Sequence, residues 1–176
     1  MMAKHTYRNT SLPLQSIFLS IRDPVSRMIS QFVMERDLNV VVGSQEAFDI
    51  MRRSPKFDRF SMYQTLLILP ETKKNVSLLS DPTELKRIAC ETISKVAWVG
   101  LTGQFDCSVC LLHSMYEFSP HPKEHFNMRP AKLVGFNESE IGELIRKNAT
   151  LLDDFIFDCA KARFERDVLS LAPHCC

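Results

Sequence analysis

Apolar residues along this chain alternate between two spacings. The run Ile17-Phe18-Leu19-Ser20-Ile21, bounded by Pro13 and by Arg22-Asp23-Pro24, predicts a first, buried strand over Ser16–Ile21. Asp23 is placed to cap a helix and Pro24 to occupy its first turn, after which Val25, Met28, Ile29, Phe32 and Val33 recur at helical spacing. Asn39–Gly43 reads as a loop or short extended piece and Ser44–Met51 as a short helix. Between Arg52 and Asn75 the pattern is broken by Pro55, Pro70 and the Lys73-Lys74 pair, which predicts mostly loops.

The cap-then-proline form returns at Asp81-Pro82-Thr83-Glu84, ahead of Leu85, Ile88, Ala89 and Ile93. A second strand is predicted over Val96–Leu101 and a turn over Thr102–Asp106. Asp106 is a candidate cap for a helix bearing Val109, Leu111, Leu112 and Met115. Ser119–Ala131, rich in proline, histidine and basic residues, predicts a loop. Asn137-Glu138-Ser139-Glu140 opens a helix with Ile141, Leu144 and Ile145 inward. Ala149–Leu169 predicts a long helix facing inward with Leu152, Phe155, Ile156, Cys159, Ala160 and Phe164. Strands that each feed a helix describe an α/β layer protein with few parallel strands and part of its sheet lacking. The layout divides into a polar lead at 1–15, one domain at 16–169 and a tail at 170–176.

Composition narrows the functions. The length of 176 residues and the 45% hydrophobic content suit one domain with a substantial core. Basic and acidic residues number 22 and 21, for a net charge of +1, so no global field draws the chain to nucleic acid or an anionic membrane. An anion site here is a local construction. No apolar run approaches the roughly 20 residues of a membrane helix, and the first residues lack the apolar core of a secretory signal, so the chain itself reads as soluble. Four of the six asparagines, Asn9, Asn75, Asn137 and Asn148, nonetheless stand in N-x-S/T sequons, which leans toward a secretory setting. Cys90, Cys107, Cys110 and Cys159 fall in apolar or amphipathic surroundings and read as small hydrophobes packed as free thiols. A frayed terminus is expected at Cys175-Cys176.

The strongest chemical signal is an arginine ending a strand, a helix start beside it, and a hydroxyl eight residues on: Arg22 and Ser30. A guanidinium offers a bidentate fork to phosphate, helix-start N–H groups and the dipole favour an anion, and strand C-termini are where open α/β sheets bind ligands. On spacing alone, Arg22 pairing with an acidic neighbour and Ser30 facing a helix groove explain the same residues. The set His113, His121 and His125 with Cys107 and Cys110 holds only one C-x-x-C and no second pair at finger spacing, so no metal is expected. Lys123, His125, Arg129 and Lys132 make a local basic loop, open to a phosphate, an anionic glycan or water.

The stretch from Ile21 to Phe32, with Arg22-Asp23-Pro24, Arg27 and Ser30, resembles the 3′-phosphate-binding motif of the Golgi carbohydrate sulfotransferases, R-D-P-x-x-R-x-x-S before an aromatic residue. The resemblance implies that Arg22 and Ser30 hold the 3′-phosphate of 3′-phosphoadenosine 5′-phosphosulfate (PAPS), the sulfuryl donor, with Arg27 in support. Trp98-Val99-Gly100-Leu101-Thr102 with Phe105-Asp106 and Ser108 is similar to the family's V-G-L-T-E-x-F-D-x-S block, Gly103 standing where glutamate is usual. Asn127-Met128-Arg129 resembles the loop that closes over the nucleotide, which makes Arg129 a further nucleotide contact. The stretch Asp154 to Phe164 resembles the terminal helix. The arrangement is nearest to the uronyl and heparan sulfate 2-O-sulfotransferases.

The resemblance implies a P-loop-like fold, transfer of a sulfuryl group from PAPS to a carbohydrate hydroxyl, a glycan partner, and the Golgi lumen. The family usually carries a membrane anchor, and none is expected within these residues. The family's 5′-phosphosulfate loop, a glycine- and lysine-containing turn, lies upstream of the Arg-Asp-Pro block. Only twenty-one residues precede Arg22 here, and none is glycine. The expectation is therefore a partial sulfotransferase domain lacking its first strand-loop-helix unit, with no catalytic base assigned. Activity of such a chain alone is doubtful, and a non-catalytic nucleotide-binding or interaction module is the alternative.

Overall fold

The structure is a computed structural model that describes residues 13–34, 43–68, 81–119, 121, 124, 135–149 and 152–176. Among these residues lie two strands and eight α-helices. After a 3-10 turn at Leu14–Ser16 come β1 (Phe18–Ile21), α1 (Pro24–Met34), α2 (Ser44–Arg53), α3 (Phe57–Ser61), α4 (Tyr63–Ile68) and α5 (Pro82–Lys95). Then follow β2 (Trp98–Leu101), a 3-10 turn at Thr102–Gln104, α6 (Phe105–Tyr116), α7 (Glu138–Asn148) and α8 (Asp153–Leu171). The described residues are mostly helical, with a small parallel sheet compatible with an α/β class.

Strands β1 and β2 pair in parallel with Phe18 opposite Trp98 and Ile21 opposite Leu101, so their C-terminal ends lie side by side. All of β2 is buried. The expected burial of β1 is corrected: Phe18 is 44% exposed and Ser20 is also exposed, because the helices that cover the sheet, α6 and α8, pack on β2. Phe18 packs instead against Trp98 and Tyr116. The glycine in β2 has a steric reason. A Cβ on Gly100 would overlap the Trp98 indole and come 3.0 Å from the Ser108 Cβ.

The core has two main parts. Ile21, Val99 and Leu101 of the sheet pack with Ala89 and Ile93 of α5, Leu111 of α6, and Ile156, Ala160 and Phe164 of α8. A second group joins Met28, Ile29 and Phe32 of α1 to Phe48 and Met51 of α2, Phe57 and Phe60 of α3, and Ile141 and Ile145 of α7. The expectation of loops after Arg52 is also corrected, since α2 runs to Arg53 and two short helices follow it. Phe57 and Phe60, three apart, bury one face of α3 against α1 and α2, which a break-rich local pattern does not reveal.

The free-thiol reading of the cysteines is corrected by pairing: Cys90 with Cys159, Cys107 with Cys176, and Cys110 with Cys175. The first joins α5 to α8. The other two tie the C-terminal residues to α6, so the terminus is not frayed. Such bonds are compatible with a secretory or lumenal environment. Among the described residues no helix is long and apolar enough to cross a membrane.

Candidate functional site

The parallel register sets Arg22, the residue after β1, beside Thr102, the residue after β2. The two sequence blocks around Arg22 and Thr102 thus meet at one end of the sheet, where the Ser20 and Thr102 hydroxyls lie 3.4 Å apart. The backbone of Arg22 is clamped by one side chain. Its N–H donates to Gln64 Oε1 at 3.0 Å, and its carbonyl accepts from Gln64 Nε2 at 3.0 Å. A carboxamide carries the donor and acceptor of a peptide group, so Gln64 continues the hydrogen-bond ladder one residue past the strand. Among the described residues no hydrogen bond or ion pair engages the Arg22 guanidinium or the Ser30 hydroxyl, and both residues are half-buried.

Arg27 is committed elsewhere. Its guanidinium lies 3.0 Å from Asp153 Oδ2, donates to the Phe60 carbonyl and sits over the Tyr63 ring. Asp153 is fully buried and also accepts from the N–H groups of Gln64 at 2.9 Å and Thr65 at 2.7 Å, so it caps the start of α4. Burial lowers the Arg27 pKa and raises that of Asp153 from their ordinary values; their mutual attraction opposes both shifts. This pair holds α1, α4 and α8 around Gln64, and Gln64 holds Arg22. Arg27 therefore acts on Arg22 through the packing, its guanidinium held by protein groups.

The start of α1 differs from the anion receptor that spacing suggests. Asp23 Oδ1 accepts from the Ser26 N–H at 2.8 Å, and Oδ2 accepts from Arg146 at 3.1 Å. The helix end already carries a carboxylate. Beside it, a cleft of about 320 Å³ between α1 and α7 is lined by Asp23, Glu138 and Glu143 with Arg146 as the single cation. That charge balance does not suit a phosphate, which leaves the Arg22 side of the strand end as the anion-compatible one.

Of the other predicted residues, Arg129 lies outside the described residues. Ser108 is buried, and its hydroxyl accepts from the Leu101 N–H at 2.8 Å, joining the end of β2 to α6. Asp106 stands in the first turn of α6, and the N-cap position is Gln104. His113 sits 2.7 Å from Glu124 and 2.8 Å from the Phe118 carbonyl. The His121 N–H, and after it His113, hold the Glu124 carboxyl below its ordinary range. His113 is thus occupied in fastening the residues after α6. Asn137 and Asn148 are exposed; Asn137 caps α7 through the Ser139 N–H at 2.9 Å, and Asn148 closes the helix on the Leu144 carbonyl at 2.8 Å.

The roles of Gln64 and Asp153 are absent from the sequence reading. Gln64 lies in a stretch without pattern, and Asp153 looks like any acidic residue at a helix start. Only the tertiary fold brings them to Arg22 and Arg27. Comparisons with family models, curated proteins and solved structures give no match to this chain.

Proposed function

We infer that the chain is a sulfotransferase-type protein of P-loop-like ancestry, which holds the 3′-phosphate of an adenosine nucleotide with Arg22 and Ser30. Its donor is PAPS, its acceptor a carbohydrate hydroxyl, and its compartment the Golgi lumen. The observation that carries this reading is the state of Arg22. The residue stands at the C-terminal end of a parallel strand with its backbone fixed by Gln64, while its guanidinium is unengaged among the described residues. A guanidinium offers phosphate two hydrogen bonds, and a backbone already fixed removes part of the ordering cost of binding. Arg129 is the further nucleotide contact the sequence suggests. In the transfer itself the acceptor oxygen attacks sulfur in line, the bond to the bridging phosphate oxygen breaks, and a base takes the hydroxyl proton.

Titration calorimetry with adenosine 3′,5′-bisphosphate tests the site. Binding that Arg22→Ala weakens more than about tenfold, and Ser30→Ala less, is the expected result. No measurable binding, or binding indifferent to Arg22→Ala, overturns it. The carboxylate of Asp23 at the start of α1 favours the second reading, a nucleotide-binding or interaction module without catalysis, because it occupies an N–H group that an anionic ligand would otherwise receive. Labelled PAPS with a panel of glycans separates the two: turnover selects the enzyme, and binding without turnover selects the module.

A further inference from the structure

The tail brings a second cysteine pair to the Cys-x-x-C of α6. Cys175 and Cys176 meet Cys110 and Cys107, each Cα pair 5.5 Å apart. The ligand atoms of Cys110, Cys175 and His174 all lie within 4.8 Å of one another. Cys107 is one helical turn from Cys110, and Cys176 is next to Cys175, so a second sulfur pair lies beside these three donors without joining their 4.8 Å group. Each is half-buried or exposed, within reach of solutes.

As covalent staples, the two bonds are redundant. A cross-link stabilises chiefly through the length of loop it closes in the unfolded chain. Once Cys110 and Cys175 are joined across 65 residues, joining Cys107 to Cys176 closes a ring of only a few more. Stability thus accounts for one bond and leaves the other two cysteines unexplained. Their donor set has its own chemistry. Thiolates with an imidazole are the soft-to-borderline ligands that select zinc, which takes four of them in a tetrahedron.

We propose that Cys110, Cys175 and His174, with Cys107 or Cys176 supplying the fourth ligand, form a tetrahedral zinc site when reduced. The site uses none of the residues assigned to the nucleotide and stands independently of that reading. Two equivalents of a dithiol reduce the two disulfides to four thiols and leave as cyclic disulfides, so four electrons and four protons pass to the protein. Zn²⁺ then forms bonds to sulfur, and each coordinated thiol releases its proton to solvent.

Co²⁺ is the probe, since it reports tetrahedral thiolate ligation by visible absorption. The full chain is reduced with a dithiol under argon, desalted, and titrated with Co²⁺ and then Zn²⁺. One Co²⁺ per chain with intense tetrahedral bands, displaced by Zn²⁺ and absent from the oxidised chain, is the expected result. Cys175→Ser/Cys176→Ser is expected to weaken binding more than about tenfold, whereas Cys90→Ser/Cys159→Ser retains it. Absence of stoichiometric binding, or bands unchanged in Cys175→Ser/Cys176→Ser, overturns the proposal. Circular dichroism follows the fold alongside: helix kept on reduction or regained with Zn²⁺ supports the site, and helix lost and not regained counts against it.

Discussion

The Asp153 carboxylate accepts two backbone N–H groups from α4 and pairs with Arg27, with no part of it exposed. Removing one partner of such a pair leaves the other charge buried alone, which costs about 3–5 kcal/mol. Asp153→Ala is therefore expected to lower the unfolding free energy by that amount, read from the midpoint and slope of urea unfolding. Adding Arg27→Met is expected to restore much of it, since the stranded cation is gone; a double variant no more stable than the single one contradicts this account. At this scale the sequence was legible where chemistry is local. Arg22 and Ser30 are visible from strand end, helix and spacing, but whether a guanidinium is spent in the interior depends on partners far along the chain. Arg27 and Arg22 look alike in sequence, and only one of them is consumed by Asp153.

Helix starts with their own cap are legible element by element. Asp81 accepts from the N–H groups of Thr83 and Glu84, and Asn137 from that of Ser139, as their positions ahead of apolar repeats indicate. Helices α3 and α4 were not legible, because α4 receives its cap from Asp153 and α3 its stability from phenylalanines packed on α1 and α2. The end of α5 is a comparable case. Arg163 of α8 donates to the carbonyls of Ile93 at 3.0 Å and Ser94 at 3.1 Å, groups a helix end leaves unpaired, while Asp167 holds its Nε at 2.5 Å. Arg163→Ala is expected to cost about 1–3 kcal/mol and to speed amide exchange in the last turn of α5 and the first residues of β2. Exchange unchanged there shows that α5 ends independently of α8.

For the molecule as a whole, apolar periodicity conveyed the α/β character, the strand order in the chain and the long final helix. It did not convey the cysteine pairing, since a thiol in an apolar setting has the same pattern whether or not another faces it across the fold. Linking α5 to α8 through Cys90 and Cys159 spans 69 residues, and Cys90→Ser/Cys159→Ser is expected to lower stability by about 2–5 kcal/mol, read as a drop in Tm. All three bonds lie between Cys90 and Cys176. In a denatured but oxidised chain, that half remains a set of interlocking covalent rings with a small radius, and a single proteolytic nick between Cys110 and Cys159 leaves its fragments joined. Residues 1–89 belong to no ring. Arg22, Ser30 and Gln64 thus occupy the linear half of the polymer, whose dimensions collapse and expand with solvent quality alone.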